Sequence, residues 1–518
     1  MRQYEFKADR GFSQGLRPDS RIERGFLLKC KNVKPSQYGL EPFSPVTDPF
    51  TGHSPSFPWP QLVKDNNRIL LFGETSVSNI DTSDFSTSSI TTYDQEDVTS
   101  TKAIPAGTDW HIASFGSTWF AFNGSCVVFR SGLEQLYGLP EKTFVQDTVT
   151  MKTGCAHRGR FILGGFEGTD FWTRFTAELS AVSASEKDVS LSFTDIGKNY
   201  VAWSSVGGGD FPLWLFWPVG HTQAYSLAPT FEKLLDSIRG RSLGWMPMPF
   251  QGWVQKVAPL TEDDDRVIVY GEDGIVALTS ENQLIPSTYG RRHLAFWGVS
   301  NRCSVGVTNG QHLIVDPNGD IWTLNLDLQL DRLGYREWIA PINDANLRIF
   351  FDPFESEWWL VGTDAQYILT QNGLFEHTQK VSSTGIFAEG LRGVAEPVTD
   401  FKLDVVTNNF ETGAGRSTVT EVQADGTYEQ VQARLHYRYD QKDSFWEGYP
   451  VILNPSGWAS IRVNAETFRF QLTANDYRSQ HINNLRASFQ TDDRRFRRGA
   501  SVDPVASGAD SGALEGDS

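Results

Sequence analysis

The amino-acid sequence predicts an all-β protein, because of its aromatic composition, a recurring hairpin pattern and very little helical periodicity. The 518 residues include 35 Phe, 16 Trp and 46 Gly. Large flat side chains fill the space between packed sheets, and glycine supplies the turns that many short strands need. Only residues 229–241 (PTFEKLLDSIRGR) place apolar side chains at helical spacing, so we expect a helical insertion there.

The recurring unit is an apolar strand, a tight turn containing Gly, Asn, Asp or Arg, and a second apolar strand. It is clearest in six segments: 110–129, 155–172, 200–217, 265–280, 303–324 and 347–369. A period of roughly 40–50 residues with several strands per unit is typical of propeller blades, because small sheets bury both faces only when they are stacked. Residues 61–77 could add a strand pair that closes the ring. We therefore predict an irregular six- or seven-bladed β-propeller over residues 61–382.

The strongest local turn signal lies in residues 316–322 (DPNGDIW). Pro317 presets the backbone for a turn, Gly319 allows a positive φ, and an apolar strand resumes at Ile321. This pattern predicts a hairpin inside one blade.

An N-terminal arm is predicted to precede the propeller in residues 1–60. Residues 26–33 (FLLKCKNV) are expected to form one short strand, and residues 42–60 are rich in proline. Proline cannot donate a hydrogen bond to a central ladder. The proline-rich part is therefore expected to be extended and packed over a surface.

Residues 383–499 are predicted to form a C-terminal β-sandwich. Apolar and polar residues alternate there, which indicates strands with one buried face. The alternation occurs in five segments: 400–407, 417–424, 429–440, 459–464 and 468–474. Turns are predicted at Asp425-Gly426 and at Asn454–Gly457. The small, acidic residues 500–518 are expected to be disordered.

The charge and the cysteines limit the classes of function. A formal net charge of −17 argues against a general nucleic-acid binder, since phosphate binding needs clustered cations. Four cysteines without paired spacing, at positions 30, 126, 155 and 303, predict free thiols in a reducing compartment. No signal peptide is evident, and no apolar run is long enough to span a membrane.

The sequence predicts no catalytic, cofactor-binding or metal-binding residue, and therefore no enzyme. Cys155 and His157 offer two metal ligands where zinc needs three or four, so core packing is the preferred interpretation. Residues 262–265 lack the pattern of a calcium loop, and residues 207–209 (GGG) indicate a flexible turn. Paired carboxylates could still meet at the centre of a propeller, which keeps glycoside hydrolysis open as a lesser alternative.

One dense basic cluster lies near the C-terminal end, in the sequence DDRRFRRG. It consists of Arg494, Arg495, Arg497 and Arg498. The cluster could be a solvated strand end that balances the two preceding aspartates. It could also contact another subunit or DNA phosphates, since the arginine fork suits bidentate pairing.

The layout of the chain resembles the propeller-bearing tail hub or nozzle proteins of tailed bacteriophages. The resemblance lies in KNVKPSQYGLEPF (31–43), the Trp-rich repeats, NPSGWASIRVNAETFRFQL (454–472) and INNLRASFQTDDRRFRRG (482–499). The resemblance extends from about residue 25 to 499. It lies in the order and composition of the segments and not in a short sequence motif. The family has no catalytic residues to transfer.

The resemblance implies a structural virion protein made in the bacterial host cytoplasm. Copies of the chain would form a ring, a hexamer in such nozzles, that extends the head-to-tail connector and the DNA exit channel. Its partners would be the portal or adaptor, other tail proteins and DNA in transit, which an acidic wall holds weakly. The proline-rich arm and the sandwich are the expected subunit contacts. The alternative is a host-surface or glycan-binding propeller module with tryptophans that stack on sugars.

Overall fold

The computed structural model describes residues 2–6, 14–16, 26–36, 39–46, 60–65, 68–94, 101, 103–106, 109–115, 118–123, 127–130, 143–146, 150–157, 160–167, 198–205, 243–261, 265–280, 289–388, 391–397, 402–411, 415–427, 431–475 and 481–491. Regular structure in these ranges is almost entirely β-strand, so the prediction of an all-β chain is confirmed. The described helical elements are α1 (Arg336–Ile339) and two 3-10 turns, Arg302–Ser304 and Ala340–Ile342. None of the described helices is long and apolar enough to cross a membrane.

Short strands form the N-terminal arm: β1 (Arg2–Phe6), β2 (Gln14–Leu16), β3 (Phe26–Leu27), β4 (Lys29–Lys31), β5 (Val33–Ser36) and β6 (Gly39–Pro42). The single strand predicted for residues 26–33 is therefore broken. One break is at Leu28, and the other is at Asn32, which has a φ of 58°. Most of the predicted proline-rich stretch, residues 47–59, lies outside the described residues.

Three mainly antiparallel sheets follow the arm. The first contains β7 (Gln61–Asp65), β8 (Arg68–Phe72), β9 (Val77–Ile80) and β10 (Thr87–Ser89). The second contains β11 (Thr92–Asp94), β12 (His111–Phe115), β13 (Thr118–Phe122), β14 (Val127–Arg130) and β15 (Thr143–Gln146), with β11 parallel to β15. The third contains β16 (Thr150–His157), β17 (Arg160–Glu167), β18 (Tyr200–Ser205) and β19 (Leu243–Pro247).

Three further four-stranded arrays and a hairpin come next. The fourth sheet contains β20 (Val254–Pro259), β21 (Arg266–Gly271), β22 (Ile275–Ser280) and β23 (Tyr289–Ala295). The fifth contains β24 (Val305–Thr308), β25 (Gln311–Val315), β26 (Ile321–Leu324) and β27 (Leu330–Gly334). The sixth contains β28 (Arg348–Asp352), β29 (Glu357–Val361), β30 (Gln366–Thr370) and β31 (Gly373–His377). The hairpin contains β32 (Val381–Ala388) and β33 (Leu391–Ala395).

Consecutive sheets contact one another mainly through one strand each, which we call the inner strands: β7, β12, β16, β20, β24, β28 and β32. Strand β16 contacts β12 and β20, β28 contacts β24 and β32, and β32 contacts β7. Apolar side chains fill the two remaining junctions. Phe72 and Trp110 share a buried cluster between the first and second sheets, and Tyr270 and Ile314 share one between the fourth and fifth. Contacts thus run from each sheet to the next, and the hairpin strand β32 also contacts β7 of the first sheet.

The structure corrects two details of the sequence analysis. Segments 155–172 and 200–217 were predicted as separate units, but β18 pairs with β17, with Ala202 opposite Leu163. These two segments therefore belong to the same sheet, because the second adds the outer strands of the first. The turn predicted at Asp425-Gly426 is also wrong: both residues lie inside a strand (Ser417–Thr427) that absorbs a register shift there as a bulge.

The C-terminal part forms two sheets. Its strands are β34 (Leu403–Val406), β35 (Phe410–Glu411), β36 (Ser417–Thr427), β37 (Gln432–Arg438), β38 (Trp446–Glu447), β39 (Val451–Ile452), β40 (Trp458–Ala465), β41 (Thr467–Ala474) and β42 (His481–Thr491). One sheet has the order β40-β36-β42-β6-β5, with β1 also paired to β42. In the other, β34, β41 and β37 are neighbours. Buried residues of both sheets, among them Val422, Leu485, Val405 and Phe470, belong to one apolar core.

The arm joins the sixth sheet to the C-terminal strands. Lys31 of β4 lies opposite Glu376 of β31 on one side and opposite Asp404 of β34 on the other. The sixth sheet and the C-terminal strands consequently belong to a single 13-stranded sheet. The arm also approaches β42 closely: Gly39 has a φ of +133°, and a Cβ there would collide with the carbonyl oxygen of Ile482.

Candidate functional site

The site residues proposed from the sequence are not brought together by the described structure. Arg494, Arg495, Arg497 and Arg498 lie outside the described residues, as do Glu262, Asp263 and Asp264. Cys155 is buried in an apolar cluster, and His157 is buried with its Nδ1 3.5 Å from the Tyr289 hydroxyl. The described residues contain no group of three side chains that could hold a metal ion. Cys30, Cys155 and Cys303 are free thiols; Cys126 lies outside the described ranges.

The described structure instead contains a polar cluster around the inner strands, which sequence reasoning missed. We call it the central cluster. It consists of Asp109, His111, Thr153, Lys256, Arg302, Cys303, Ser304 and Arg348. Its core is a bidentate pair: the Arg302 guanidinium donates from Nη2 to Asp109 Oδ1 at 2.5 Å and from Nε to Oδ2 at 2.9 Å. Both side chains are buried.

A local turn places Arg302 and Cys303 at this position. The Asn301 side chain accepts hydrogen bonds from the backbone N–H groups of Cys303, at 2.7 Å, and Ser304, at 2.8 Å, which caps the 3-10 turn before β24. The Cys303 thiol then donates to Asp109 Oδ2 at 2.6 Å, and Arg302 Nη1 donates to the carbonyl of Lys152 at 2.7 Å. These bonds join the second, third and fifth sheets, and the fifth is no neighbour of the other two.

Burial and the neighbouring charges together set the protonation of Asp109 and Cys303. Burial by itself raises the pKa of the Asp109 carboxyl, but the Arg302 guanidinium outweighs it and holds that pKa below its usual value. Burial and the Asp109 charge raise the pKa of the Cys303 thiol to about 12. Asp109 is therefore ionised and Cys303 is a neutral thiol at physiological pH, so Cys303 lacks the thiolate that a nucleophile needs.

A second layer of the central cluster links the inner strands of the second to fifth sheets. The Thr153 hydroxyl accepts from the Val257 N–H at 2.8 Å and lies 3.1 Å from His111 Nδ1, to which it can donate. Lys256 Nζ donates to the carbonyl of Val305 at 2.6 Å. Burial lowers the pKa of the Lys256 ammonium to about 8 and lowers the pKa of His111 well below its usual range.

This chemistry does not match glycoside hydrolysis. That reaction uses two carboxyl groups on either side of the scissile bond. Among the described members of the central cluster, Asp109 is the one carboxylate, and Arg302 and Cys303 occupy its oxygens. No short motif announces this cluster in the sequence, because Asp109 and Arg302 are 193 residues apart.

A second candidate site is an exposed, largely apolar surface at residues 445–452, which we call the edge surface. It includes β38 and β39, which pair with β37 at the end of the 13-stranded sheet. The exposed fractions of Trp446, Tyr449 and Ile452 are 53%, 90% and 67%. A strand at a sheet edge with exposed apolar side chains is a ready template for another chain.

Two arginines pack against the Phe445 ring of the edge surface. The guanidinium carbons of Arg438 and Arg469 lie 4.9 Å and 3.8 Å from the centre of the Phe445 ring, within the range of cation–π attraction. Arg434 also pairs with Glu447 at 2.7 Å. Trp446 is the one exposed tryptophan among the tryptophan side chains whose burial is described. The sequence marked none of these residues as a site.

Comparisons with known proteins give only distant likenesses. No family model and no curated protein matches the chain. An exo-β-1,3-galactanase from Phanerochaete chrysosporium is 10% identical over 80% of this chain and 99% of its own, with a TM-score of 0.26. PorZ, a surface component of the type-IX secretion system of Porphyromonas gingivalis, is 9% identical over 78% and 45%, with a TM-score of 0.30. BamB from Moraxella catarrhalis is 10% identical over 60% and 82%, with a TM-score of 0.27. Likenesses this weak assign no function to the chain.

Proposed function

We propose that this chain is a non-catalytic structural protein of a phage tail, a hub or nozzle whose copies form a ring below the head-to-tail connector. In this role it acts in the virion after synthesis in the host cytoplasm. Its partners are further copies of itself in a hexamer, the portal or adaptor, other tail proteins, and DNA that passes through the ring.

The fold that fits this role is an irregular seven-bladed β-propeller joined to a β-sandwich. The circuit of contacts through the inner strands supports it, with the six sheets as full blades and the hairpin β32–β33 as a two-stranded seventh. Closure of the ring is supported by a buried cluster that contains Leu62 of β7 and Leu391 and Val394 of β33. The shared core of the two C-terminal sheets supports the sandwich.

The observation that carries the proposed function is the exposed edge surface. Soluble proteins rarely leave adjacent large apolar side chains in water unless a partner covers them, and tryptophan and tyrosine dominate the energetic centres of protein interfaces. Trp446 and Tyr449 are three residues apart at one end of the 13-stranded sheet that also contains the sixth sheet. An exposed apolar sheet edge is suited to ring assembly through repeated head-to-tail contacts.

The experiment is sedimentation velocity on the full chain over a wide concentration range. The test variant is the double substitution Trp446→Ser and Tyr449→Ser. The matched control is Ile386→Ser, which removes a comparably exposed apolar side chain, 68% accessible, from β32. We expect the wild type and the control to form the same closed oligomer, and the double variant to associate about 100-fold more weakly.

Two results would contradict the proposal. A wild type that stays monomeric at the highest attainable concentration would exclude ring formation by this chain alone. A double variant that assembles like the wild type would show that the edge surface is not the subunit contact.

The exposed Trp446 and Tyr449 also favour a second function, a host-surface or glycan-binding module. Aromatic faces open to solvent can stack on sugars, and this would place the binding site on the C-terminal part and not on the repeats. A glycan array separates the two. Selective glycan binding that disappears in the double variant supports the module. Binding to none of the glycans, by a protein that forms rings, supports the structural role.

A further inference from the structure

A second exposed aromatic surface lies on the fourth sheet, at residues 291–297, and we call it the β23 surface. The Phe296 side chain is 87% exposed, and the His293 ring stacks on it with ring centroids 5.2 Å apart. The partly buried Trp297 ring lies 4.9 Å from the Trp322 ring of the fifth sheet. Neighbouring rings form a continuous apolar patch, which is more typical of a contact site than a single exposed side chain.

The β23 surface also lies at the edge of a sheet. The fourth sheet has the strand order β20-β21-β22-β23, so β23 pairs with β22 on one side. Among the strands that the structure describes, none pairs with the other side of β23. Such an edge presents backbone donors and acceptors to another chain, as the edge surface does at the end of the 13-stranded sheet.

The exposed charges of the two surfaces are mainly of opposite sign. Arg291 and Arg292 are adjacent and exposed on the β23 surface, in a chain with a formal net charge of −17. The edge surface and the turn before it, residues 440–449, expose mainly carboxylates, whereas the three arginines that pack there are partly buried. The exposed charged side chains of this segment are Asp440, Lys442, Asp443 and Glu447.

A closed ring needs two different contact surfaces on each copy, because every subunit binds one neighbour with each of its two sides. Contact of the edge surface with itself would bring the exposed carboxylates of residues 440–449 together, and like charges at an interface are unfavourable. The two surfaces do not cover each other within one copy either, since Tyr449 is 90% exposed and Phe296 is 87% exposed. The partner of the edge surface is therefore to be sought on a second copy.

We propose that the edge surface of one copy binds the β23 surface of the next copy. In this contact Trp446 and Tyr449 pack against the Phe296 ring, in keeping with the tendency of large aromatic anchors to pair across interfaces. Arg291 and Arg292 face the exposed carboxylates of residues 440–447. The proposal rests on the proposed function, because it names the partner of the edge surface in the ring.

The test is a complementation experiment by sedimentation velocity on two full-length variants. The edge variant is Trp446→Ser with Tyr449→Ser, and the β23 variant is Phe296→Ser with Arg292→Glu. Arg292 is chosen because Arg291 also donates a hydrogen bond to the Pro247 carbonyl. We expect each variant alone to remain monomeric at concentrations where the wild type forms its ring. An equimolar mixture should form a one-to-one dimer and nothing larger, since each such pair has one complete contact.

The matched control is Phe354→Ser with Arg336→Glu. It removes another exposed phenylalanine, 66% accessible, and reverses another exposed arginine on the fifth sheet's side of the chain. We expect the control to assemble like the wild type. The melting temperature of the β23 variant, measured below the concentration of assembly, should equal that of the wild type within a few degrees, because both altered side chains are exposed.

The single changes separate the apolar part of the contact from the charged part. Phe296→Ser is expected to weaken assembly about 100-fold, as the loss of an aromatic anchor does. Arg292→Glu is expected to weaken it about 10-fold at low ionic strength and less at high ionic strength, where exposed charges are screened. An effect of Arg292→Glu that does not change with salt would contradict the charge pairing.

Three results would overturn the proposed contact and leave ring formation intact. In the first, the β23 variant assembles like the wild type. In the second, the β23 variant alone forms a dimer, which would show that the edge surface binds itself. In the third, a mixture of the two deficient variants stays monomeric although the wild type assembles. A wild type that stays monomeric would overturn the proposed function together with this contact.

Discussion

The central cluster and the edge surface distribute their side chains in opposite ways. The central cluster buries charged groups and pairs them with one another across sheets that are not neighbours. The edge surface exposes aromatic and aliphatic groups and uses arginines to support them from behind. A fold driven by hydrophobic burial would do the reverse in both places. The difference fits our proposal that the centre orders the protein internally and that the edge contacts another copy of the chain.

The two regions should also differ in how far the free energy of unfolding falls when an ion pair is broken. The desolvation of two buried charges is compensated only while both partners are present, so the loss of one leaves an uncompensated charge. An exposed pair loses little, because water replaces the partner. The Asp109–Arg302 pair of the centre and the Arg434–Glu447 pair of the edge are therefore a matched test.

The largest effect is expected from Asp109→Asn. This change leaves Arg302 charged and buried, and we expect the free energy of unfolding to fall by about 3–5 kcal/mol. Glu447→Gln removes the exposed partner of Arg434 and should cost at most about 1 kcal/mol. Urea denaturation of both variants measures the two values. Equal costs would contradict the distinction between a structural centre and a peripheral edge.

An intermediate effect, about 2 kcal/mol between pH 6.5 and pH 5, is expected from the titration of His312. The Tyr270 hydroxyl lies 2.6 Å from His312 Nδ1 and the Pro259 carbonyl 3.0 Å from Nε2. Since a carbonyl only accepts, Nε2 carries the proton and Nδ1 accepts from tyrosine. Burial lowers the pKa of His312 to about 3.

The sign of the pH effect follows from that pKa. The folded protein holds His312 neutral, while the unfolded chain binds a proton below about pH 6.5. The contribution to stability is complete above that pH and is lost as the pH falls toward 3, by up to about 1.4 kcal/mol per pH unit. His312→Gln should flatten the acid limb of the stability curve. An unchanged slope in His312→Gln would show that this imidazole is charged in the folded state.

The smallest effect on stability is expected at the edge surface. Trp446→Ser and Tyr449→Ser should each change the free energy of unfolding by no more than about 0.5 kcal/mol, because both side chains are mostly in water. Thermal denaturation at a concentration below assembly measures this. A large loss would mean that the exposed side chain stabilises the fold. Any loss of assembly in these variants would then need another explanation.

Local signals in the sequence predicted local structure well. In residues 316–322, β25 ends at Val315 and β26 begins at Ile321, with Gly319 at a φ of +87°. Asp316 Oδ1 accepts from the backbone N–H groups of Asn318 and Asp320. The predicted turn is confirmed because side-chain capping and glycine chemistry act within a few residues. The C-terminal alternation likewise predicted β36, β40 and β41.

Long-range pairing was beyond the reach of the sequence. β4 is three residues long, and its place between β31 and β34 depends on partners more than 340 residues away. The central cluster depends on a contact over 193 residues. The edge surface was missed for a different reason: alternation predicts strands, but it does not tell which strand ends the sheet. The domain boundaries at residues 60, 382 and 499 stay predictions.

The most direct test of the central claim is electron cryomicroscopy of the full chain under conditions where it assembles, or of a tail particle that contains it. We predict a closed ring in which the Trp446 and Tyr449 side chains of each copy are buried against the next copy. Monomeric particles, or a ring in which both side chains face solvent, would contradict the assignment of the edge surface as the assembly contact.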